Sequence, residues 1–395
     1  MTHGAVETTV LMDNNRHLPL SMIKDRVAAY DASGVVDEVM ITDQLTSWFP
    51  LDMWTPENSG LAAVVPDVDS FPDPFVAAAL TLSSTQNVGI SLATDAVRRG
   101  PAELMQSMTT LANLAGDRSL TLQLGAGERK QTTPFGHKRT EGLNRFEDQM
   151  RFIEEFWKTD GPVNMEGNHW SFREAWIGGA KHKRPRVWGL GGGPRLFDLT
   201  TTYADGFATS VPSTWPTPEQ AAEKIAEIRR TVEQKGRDPE KFKIGIWAEY
   251  LLYDEGDEHL VDVALGNPLV QWMGVIFGRF PLGAWENEGL PVPLGDPAWH
   301  YSIKYEPVRW TAAQVKEALD PLPRELFEKC FYIGTPAQVA AQMQPYIEAG
   351  VNWIMPTDLM AFILPLEQLE GTIRRGIELC GLLKQGDRSV AGASA

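Results

Sequence analysis

The stretch Asn87–Lys130 reads NVGISLATDAVRRGPAELMQSMTTLANLAGDRSLTLQLGAGERK. Its two ends, Asn87–Ala93 and Ser119–Leu124, are short runs that are apolar on both faces, the pattern of parallel strands covered on both sides. A helical segment over about 100–115 separates them, so the stretch predicts one strand–helix–strand unit. Each strand leads into a loop rich in polar residues and glycine: Thr94-Asp95 with Arg98-Arg99-Gly100-Pro101 after the first, Gly125-Ala126-Gly127-Glu128-Arg129-Lys130 after the second.

The same alternation continues in both directions. Further strands are predicted at Thr8–Met12, Val35–Thr42, Arg186–Leu190, Gly206–Thr209, Lys243–Leu252 and Val351–Pro356. Helices are predicted around 19–33, 72–84, 142–158, 194–204 and 364–384. Two more helices announce their starts. Thr217-Pro218-Glu219-Gln220 and Thr335-Pro336-Ala337-Gln338 have the form of a capping box, with Pro at the first helical position. The first leads into Ala222, Ile225, Ile228 and Val232 on one face and stops at Gly236; the second leads into Val339, Met343 and Ile347 and stops at Gly350. Eight strand–helix alternations predict a (β/α)8 TIM barrel. A doubly wound open sheet is the alternative, but the dinucleotide fingerprint expected near its first turn is missing. The barrel is read as a single domain over 1–385, with long insertions after strand 2 (about 44–70) and between strands 7 and 8 (about 255–320); 386–395 is small and polar and reads as a flexible tail.

The 36 Lys and Arg against 52 Asp and Glu give a net charge of −16, which argues against nucleic acid as a partner. Neither a signal peptide nor a membrane-spanning apolar run is visible, and a cytoplasmic location is expected. The two cysteines, Cys330 and Cys380, exclude a disulfide framework and a thiolate zinc site. The seven histidines show no metal-binding spacing, so no metal is expected. The 13 tryptophans suit either a large aromatic core or a wide pocket for a planar or bulky apolar ligand.

Barrel chemistry sits where strands end, which singles out four loops. Gly191-Gly192-Gly193-Pro194-Arg195 precedes a helix, where backbone N–H groups and the helix N-terminus form either an anion site or a plain tight turn. It is neither GxGxxG nor a P-loop. Glu128 is a carboxylate at a barrel mouth or a solvated loop acid; Asp43 is a site residue or a cap. Arg98 and Arg99 either bind phosphate or begin a solvated helix.

Taken in order, Thr42-Asp43-Gln44 with Trp48, Ser91-Leu92-Ala93-Thr94-Asp95 with Arg98-Arg99-Gly100-Pro101, Leu124-Gly125-Ala126-Gly127-Glu128, and Gly191-Gly192-Gly193-Pro194 with Tyr203-Ala204-Asp205-Gly206-Phe207 resemble the bacterial luciferase-like family. Within it they are most similar to the coenzyme F-420-dependent branch that holds phthiodiolone ketoreductases and glucose-6-phosphate dehydrogenases. The resemblance runs from about residue 8 to 380 and is weak across 255–320. It implies a usually dimeric barrel with F-420, or FMN as the alternative, at its C-terminal mouth. It further implies that Asp43 contacts the ring system, that Ser91-Leu92 form a bulged non-prolyl cis peptide beneath it, and that Thr94 bonds near it. Ala126, Glu128 and Gln131 would line cofactor and substrate, and Gly192, Gly193, Arg195 and Leu196 would cradle phosphate. One departure stands out: Gln44 occupies the place of a histidine in the sugar-phosphate dehydrogenases, and an amide cannot exchange a proton. No cluster of Lys and Arg for a sugar phosphate is present, so a bulkier, apolar small-molecule substrate is expected. The expected chemistry is hydride transfer between the coenzyme and a carbonyl or alcohol carbon, with Glu128 as acid/base, Gln44 orienting oxygen and Trp48 walling the pocket. His17, Glu249 and Tyr250 are reserve proton carriers. An FMN-dependent monooxygenase and a ligand-binding barrel without turnover are the alternatives.

Overall fold

A computed structural model of the chain describes residues 6–12 and 15–393. Its strands are β1 (Glu7–Leu11), β2 (Glu38–Thr42), β3 (Gly89–Asp95), β4 (Leu120–Gly125), β5 (Val163–Met165), β6 (Phe172–Ala175), β7 (Arg186–Leu190), β8 (Gly206–Val211), β9 (Lys243–Leu252), β10 (Tyr332–Gly334) and β11 (Trp353–Asp358). Eight of them close a parallel barrel in the order β1, β2, β3, β4, β7, β8, β9, β11 and back to β1. These are the eight strands expected from sequence, with ends moved by at most three residues. The closed barrel excludes the open-sheet alternative.

The helices that cover it include α1 (Met22–Ser33), α2 (Pro74–Ser84), α3 (Pro101–Ala115), α4 (Arg129–Thr132), α5 (Gly142–Lys158), α6 (Pro194–Tyr203) and α7 (Pro218–Gln234). In α7 the Thr217 side chain accepts from the Gln220 N–H, and Ala221 rather than Ala222 joins Ile225, Ile228 and Val232 on the buried face. Further along come α8 (His259–Gly266), α9 (Pro268–Phe277), α10 (Tyr301–Lys304), α11 (Ala312–Leu319), α12 (Arg324–Glu328), α13 (Pro336–Glu348), α14 (Met360–Ile363) and α15 (Leu369–Ala393). Thr335 and Gln338 form a complete reciprocal capping box at the start of α13. Part of the region read as a tail is instead the end of α15, which runs through Ala393. Among the described residues no single helix is long and apolar enough to cross a membrane.

The barrel interior is filled in layers, and the lowest is ionic. Arg186 donates to Glu7 at 2.6 Å and to Glu38 at 2.8 Å, while Lys243 pairs with Glu7 at 2.9 Å. Glu38 is fully buried and also accepts from Thr121 (2.8 Å) and the Trp353 indole (3.1 Å). Above lie Met40, Ala93, Trp188, Ala208, Trp353 and Met355. A polar step follows, in which Trp247 donates to Gln123 (2.9 Å) and Gln123 to Ser91 (3.2 Å). The Trp188 indole N–H in the layer below has no hydrogen-bond partner among the described residues, whereas Gln123 and Trp247 satisfy one another.

The two insertions meet over the C-terminal mouth and build a second aromatic core of their own. Trp54 from the first packs in the same cluster as Trp272, Trp285, Trp299 and Tyr305 from the second. Tyr305 pins the two together: its hydroxyl donates to the Trp48 carbonyl (2.5 Å) and accepts from the Trp272 indole (2.8 Å). Most of the tryptophan excess therefore serves packing, since Trp272, Trp285, Trp188 and Trp353 are all fully buried. The second insertion returns through β10, which pairs with the upper part of β9 (Tyr332 with Tyr250, Gly334 with Leu252).

Candidate active site

One cavity of about 640 Å³ opens between the barrel mouth and this roof. Asp43, Gln44, Trp48, Thr94, Ala126, Glu128, Gln131, Gly192, Gly193 and Leu196 all line it, so loops after β2, β3, β4 and β7 converge there. The volume lies in the range of sites that hold cofactor-sized ligands.

Asp43 is held from three sides. Thr94 donates to its carboxylate at 2.7 Å, Arg98 and Arg99 each at 3.2 Å, and Arg98 also reaches the Asp43 carbonyl at 2.5 Å. Both arginines are thus spent on Asp43, with Arg98 also bonded to Asp95 and Arg99 to Asp73; neither is left for a phosphate. Gln131 is similarly committed. Its carbonyl oxygen accepts from the Leu45 N–H (2.7 Å) and its amide donates to the Thr46 carbonyl (2.8 Å), which fixes the loop carrying Gln44 and Trp48.

The glycine loop presents its backbone to the same cavity. Gly193 begins α6 with no side chain capping the helix, and Pro194 takes the first turn. The first-turn N–H groups of α6 therefore lack a side-chain acceptor and suit an anion. A Cβ at Gly193 would meet nothing within 4 Å, and one at Gly192 only Thr214 at 3.5 Å, so the cradle is open. Gly191, at φ +144, takes a conformation that favours glycine. A phosphate-tailed, planar cofactor fits these residues.

Glu128 stands at the N-terminal end of α4, its side chain about a quarter exposed, and that exposure is to the cavity it lines. Burial pushes its carboxyl up from the ordinary value, assisted by the negative charge of Asp95, against the opposing pull of Lys130, Arg98 and a hydrogen bond from Tyr301. Trp48 meets Phe277 and Tyr301 edge-on, with ring centroids 4.6 and 5.4 Å away. His300 stacks on Phe280 at 4.9 Å; burial and the Arg139 charge lower its pKa to about 4, so the imidazole is neutral. Beyond this polar corner the lining turns apolar, through Trp54, Leu61, Val65, Val68 and Phe362.

Several expectations need correction. The Ser91–Leu92 bond is not cis: β3 runs in unbroken register between β2 and β4, and the cis bonds among the described residues are Val211–Pro212 and Phe280–Pro281. Both residues lie beneath the cavity, Ser91 bonded to Gln123 and Leu92 in the outer core. Arg195 turns away from the glycine loop to Asn144 (2.7 Å) and Glu147 (3.0 Å) on α5. His17 is exposed and absent from the lining. Tyr250 is fully buried in the outer core, where burial raises its pKa well above the ordinary value; Glu249 does reach the cavity. Conversely, sequence reading missed Lys130, Arg139, His300 and Tyr301. His300 and Tyr301 come from a distant segment that only the folded roof brings to the mouth, and Arg139 from the turn between α4 and α5. Lys130 sits two residues from Glu128 and looks like a solvated loop cation, yet its side chain is 1% exposed.

A sequence profile described as luciferase-like monooxygenase matches residues 18–352. The chain is 26% identical over 350 residues to a phthiodiolone/phenolphthiodiolone dimycocerosates ketoreductase of Mycobacterium tuberculosis (strain ATCC 25618 / H37Rv), covering 87% of this chain and 88% of that one. It is 24% identical over 325 residues to an F420-dependent glucose-6-phosphate dehydrogenase of Kineococcus radiotolerans, covering 81% and 82%. Among solved structures, an F420-dependent secondary alcohol dehydrogenase shares the fold with a TM-score of 0.69 at 15% identity, covering 96% of this chain and 99% of that one.

Proposed function

Because the chain belongs to the luciferase-like monooxygenase family, we propose that it is a coenzyme F-420-dependent oxidoreductase that moves a hydride between the coenzyme and a carbonyl or alcohol carbon of a fairly large, apolar substrate. The observation that carries this reading is the opening of an uncapped glycine-led helix start and a carboxyl of raised pKa onto one cavity. The names of the ketoreductase and dehydrogenase relatives support the cofactor and the reaction class. When bound, a deazaflavin supplies the hydride chemistry. The protein's part is positional. Gly192, Gly193 and the first turn of α6 would hold the phosphate, and Asp43, fixed by Thr94 and two arginines, would face the ring. Glu128 holds the proton exchanged with the substrate oxygen, since burial favours its acid form over that of an ordinary carboxylate. Gln44 orients that oxygen, and Trp48 excludes water from one side. The apolar branch from Trp54 to Phe362 takes the body of the substrate.

The test is a pair of fluorescence titrations of the purified protein, one with F-420 and one with FMN. Binding of F-420 at least ten times tighter than FMN supports the proposal. The reverse order overturns it in favour of an FMN-dependent monooxygenase, and binding of F-420 with neither oxidation of its reduced form by a panel of long-chain ketones nor reduction of its oxidised form by the matching alcohols would leave only a ligand-binding barrel.

A further inference from the structure

Behind the cavity wall lies an ionisable group that the scheme above does not use. The Lys130 ammonium is enclosed by Glu128 at 3.7 Å, the Gln44 carbonyl oxygen at 3.5 Å and the Thr46 backbone carbonyl at 2.7 Å, and it lies 3.5 Å from the Trp48 ring centroid. It therefore touches all three residues assigned to the reaction while being sealed from solvent. A buried ammonium is costly unless its neighbours compensate it. Here two neutral oxygens and an aromatic face do part of that work, and the remaining counter-charge is the Glu128 carboxylate.

We propose that Lys130 is a positioning residue for proton transfer: its ammonium and the Glu128 carboxyl form one ionisation unit, in which the charge on either group sets the protonation of the other. This rests on the functional reading above and supplies what Gln44 cannot. When Glu128 releases its proton to a substrate oxygen, the O–H bond of the carboxyl breaks and one forms on the substrate. The carboxylate left behind faces Lys130 and is steadied by it, then regains a proton from water through the exposed side of Glu128. Lys130 itself never reaches the substrate.

The other charges around the pair are fixed. Asp69 adds negative potential at Lys130, and Arg98 opposes it. Asp95, Arg98 and the Tyr301 hydroxyl act on Glu128, and Arg139 adds a positive charge nearby. Burial lowers the Lys130 pKa to about 8, with Glu128 the largest opposing influence. This agrees with the geometry, in which the Glu128 carboxyl is the only acid within ion-pair distance of the ammonium among the described residues.

The experiment is an NMR titration of cofactor-free protein labelled with 13Cε-lysine, from about pH 6 to about pH 11. The Lys130 resonance is assigned by its loss in Lys130→Met, or in Lys130→Gln should the first variant not fold. In the wild type it is expected to titrate near 8. In Glu128→Gln its midpoint is expected to fall by about one pH unit or more, since the carboxylate no longer holds the proton. A midpoint at about 10 or above, where free lysines titrate, overturns the proposal, as does an unchanged midpoint in Glu128→Gln. Because no cofactor is present, failure of F-420 to bind would defeat the functional reading while leaving this result intact.

Discussion

Replacing Tyr305 with Phe removes a single oxygen at the point where the two insertions are pinned. Tyr305 is fully buried, and its hydroxyl serves two groups: the fully buried Trp272 indole N–H at 2.8 Å and the partly buried Trp48 carbonyl at 2.5 Å. Phe fills the same space, so no cavity opens and the loss is one of hydrogen bonding alone. A buried polar group left without a partner costs about 1–3 kcal/mol, so the orphaned Trp272 indole alone predicts a loss of about that size. That is a large share of a total stability of about 5–15 kcal/mol. Urea denaturation followed by tryptophan fluorescence, which senses Trp48 and Trp272 directly, is the assay. The loss should be accompanied by weaker cofactor binding, because Trp48 walls the cavity. A change below about 0.5 kcal/mol, the range of a neutral surface substitution, would refute the argument that this hydroxyl ties the roof to the mouth.

Three further outcomes follow from the site. Glu128→Gln should cut turnover by about 10²–10⁴-fold while leaving cofactor affinity within a few-fold, as measured by steady-state kinetics and fluorescence titration; near-normal turnover would remove Glu128 from its role. Lys130 has a folded-state pKa of about 8 against an ordinary 10.5, so between those values the unfolded chain binds the proton that the folded one has lost, and stability rises with pH. Relative to Lys130→Met, in which the shifted tyrosines cancel, wild-type stability should therefore gain about 3 kcal/mol from pH 7.5 to pH 10.5 by denaturant titration; parallel curves would contradict it. Gly193→Ala should melt within a few degrees of the wild type, because its Cβ enters open space, yet bind F-420 more weakly by about tenfold. Unchanged affinity would move the phosphate elsewhere.

The barrel was legible because its strands are buried on both faces, which leaves continuous apolar runs such as Gly89–Asp95 and Leu120–Gly125 in the sequence. The β5–β6 hairpin and β10 were not, since segments of three or four residues show no period at all. At the site, strand-end position alone placed Asp43, Thr94, Ala126 and Glu128 on the common rim. The roles given to Arg195, Ser91 and Leu92 came from the resemblance instead, and nothing in the local sequence told that Arg195 bonds to α5 or that the Ser91–Leu92 bond is trans. Lys130 was hidden for a related reason. Its burial is created by Trp48 and by the roof that Tyr305 fastens, residues up to 175 positions away, and nothing in Gly127-Glu128-Arg129-Lys130 carries that information.

The short strand β10 has a consequence for how such a protein can change over generations. The segment from Tyr253 to Phe331 leaves β9 at one end and is stitched back onto the flank of that same β9 at the other. Both of its feet stand on one rail. Residues between them can be lengthened, shortened or exchanged without disturbing the register of the eight staves beneath, so new appetites for substrate can be tried overhead while the foundations keep their shape.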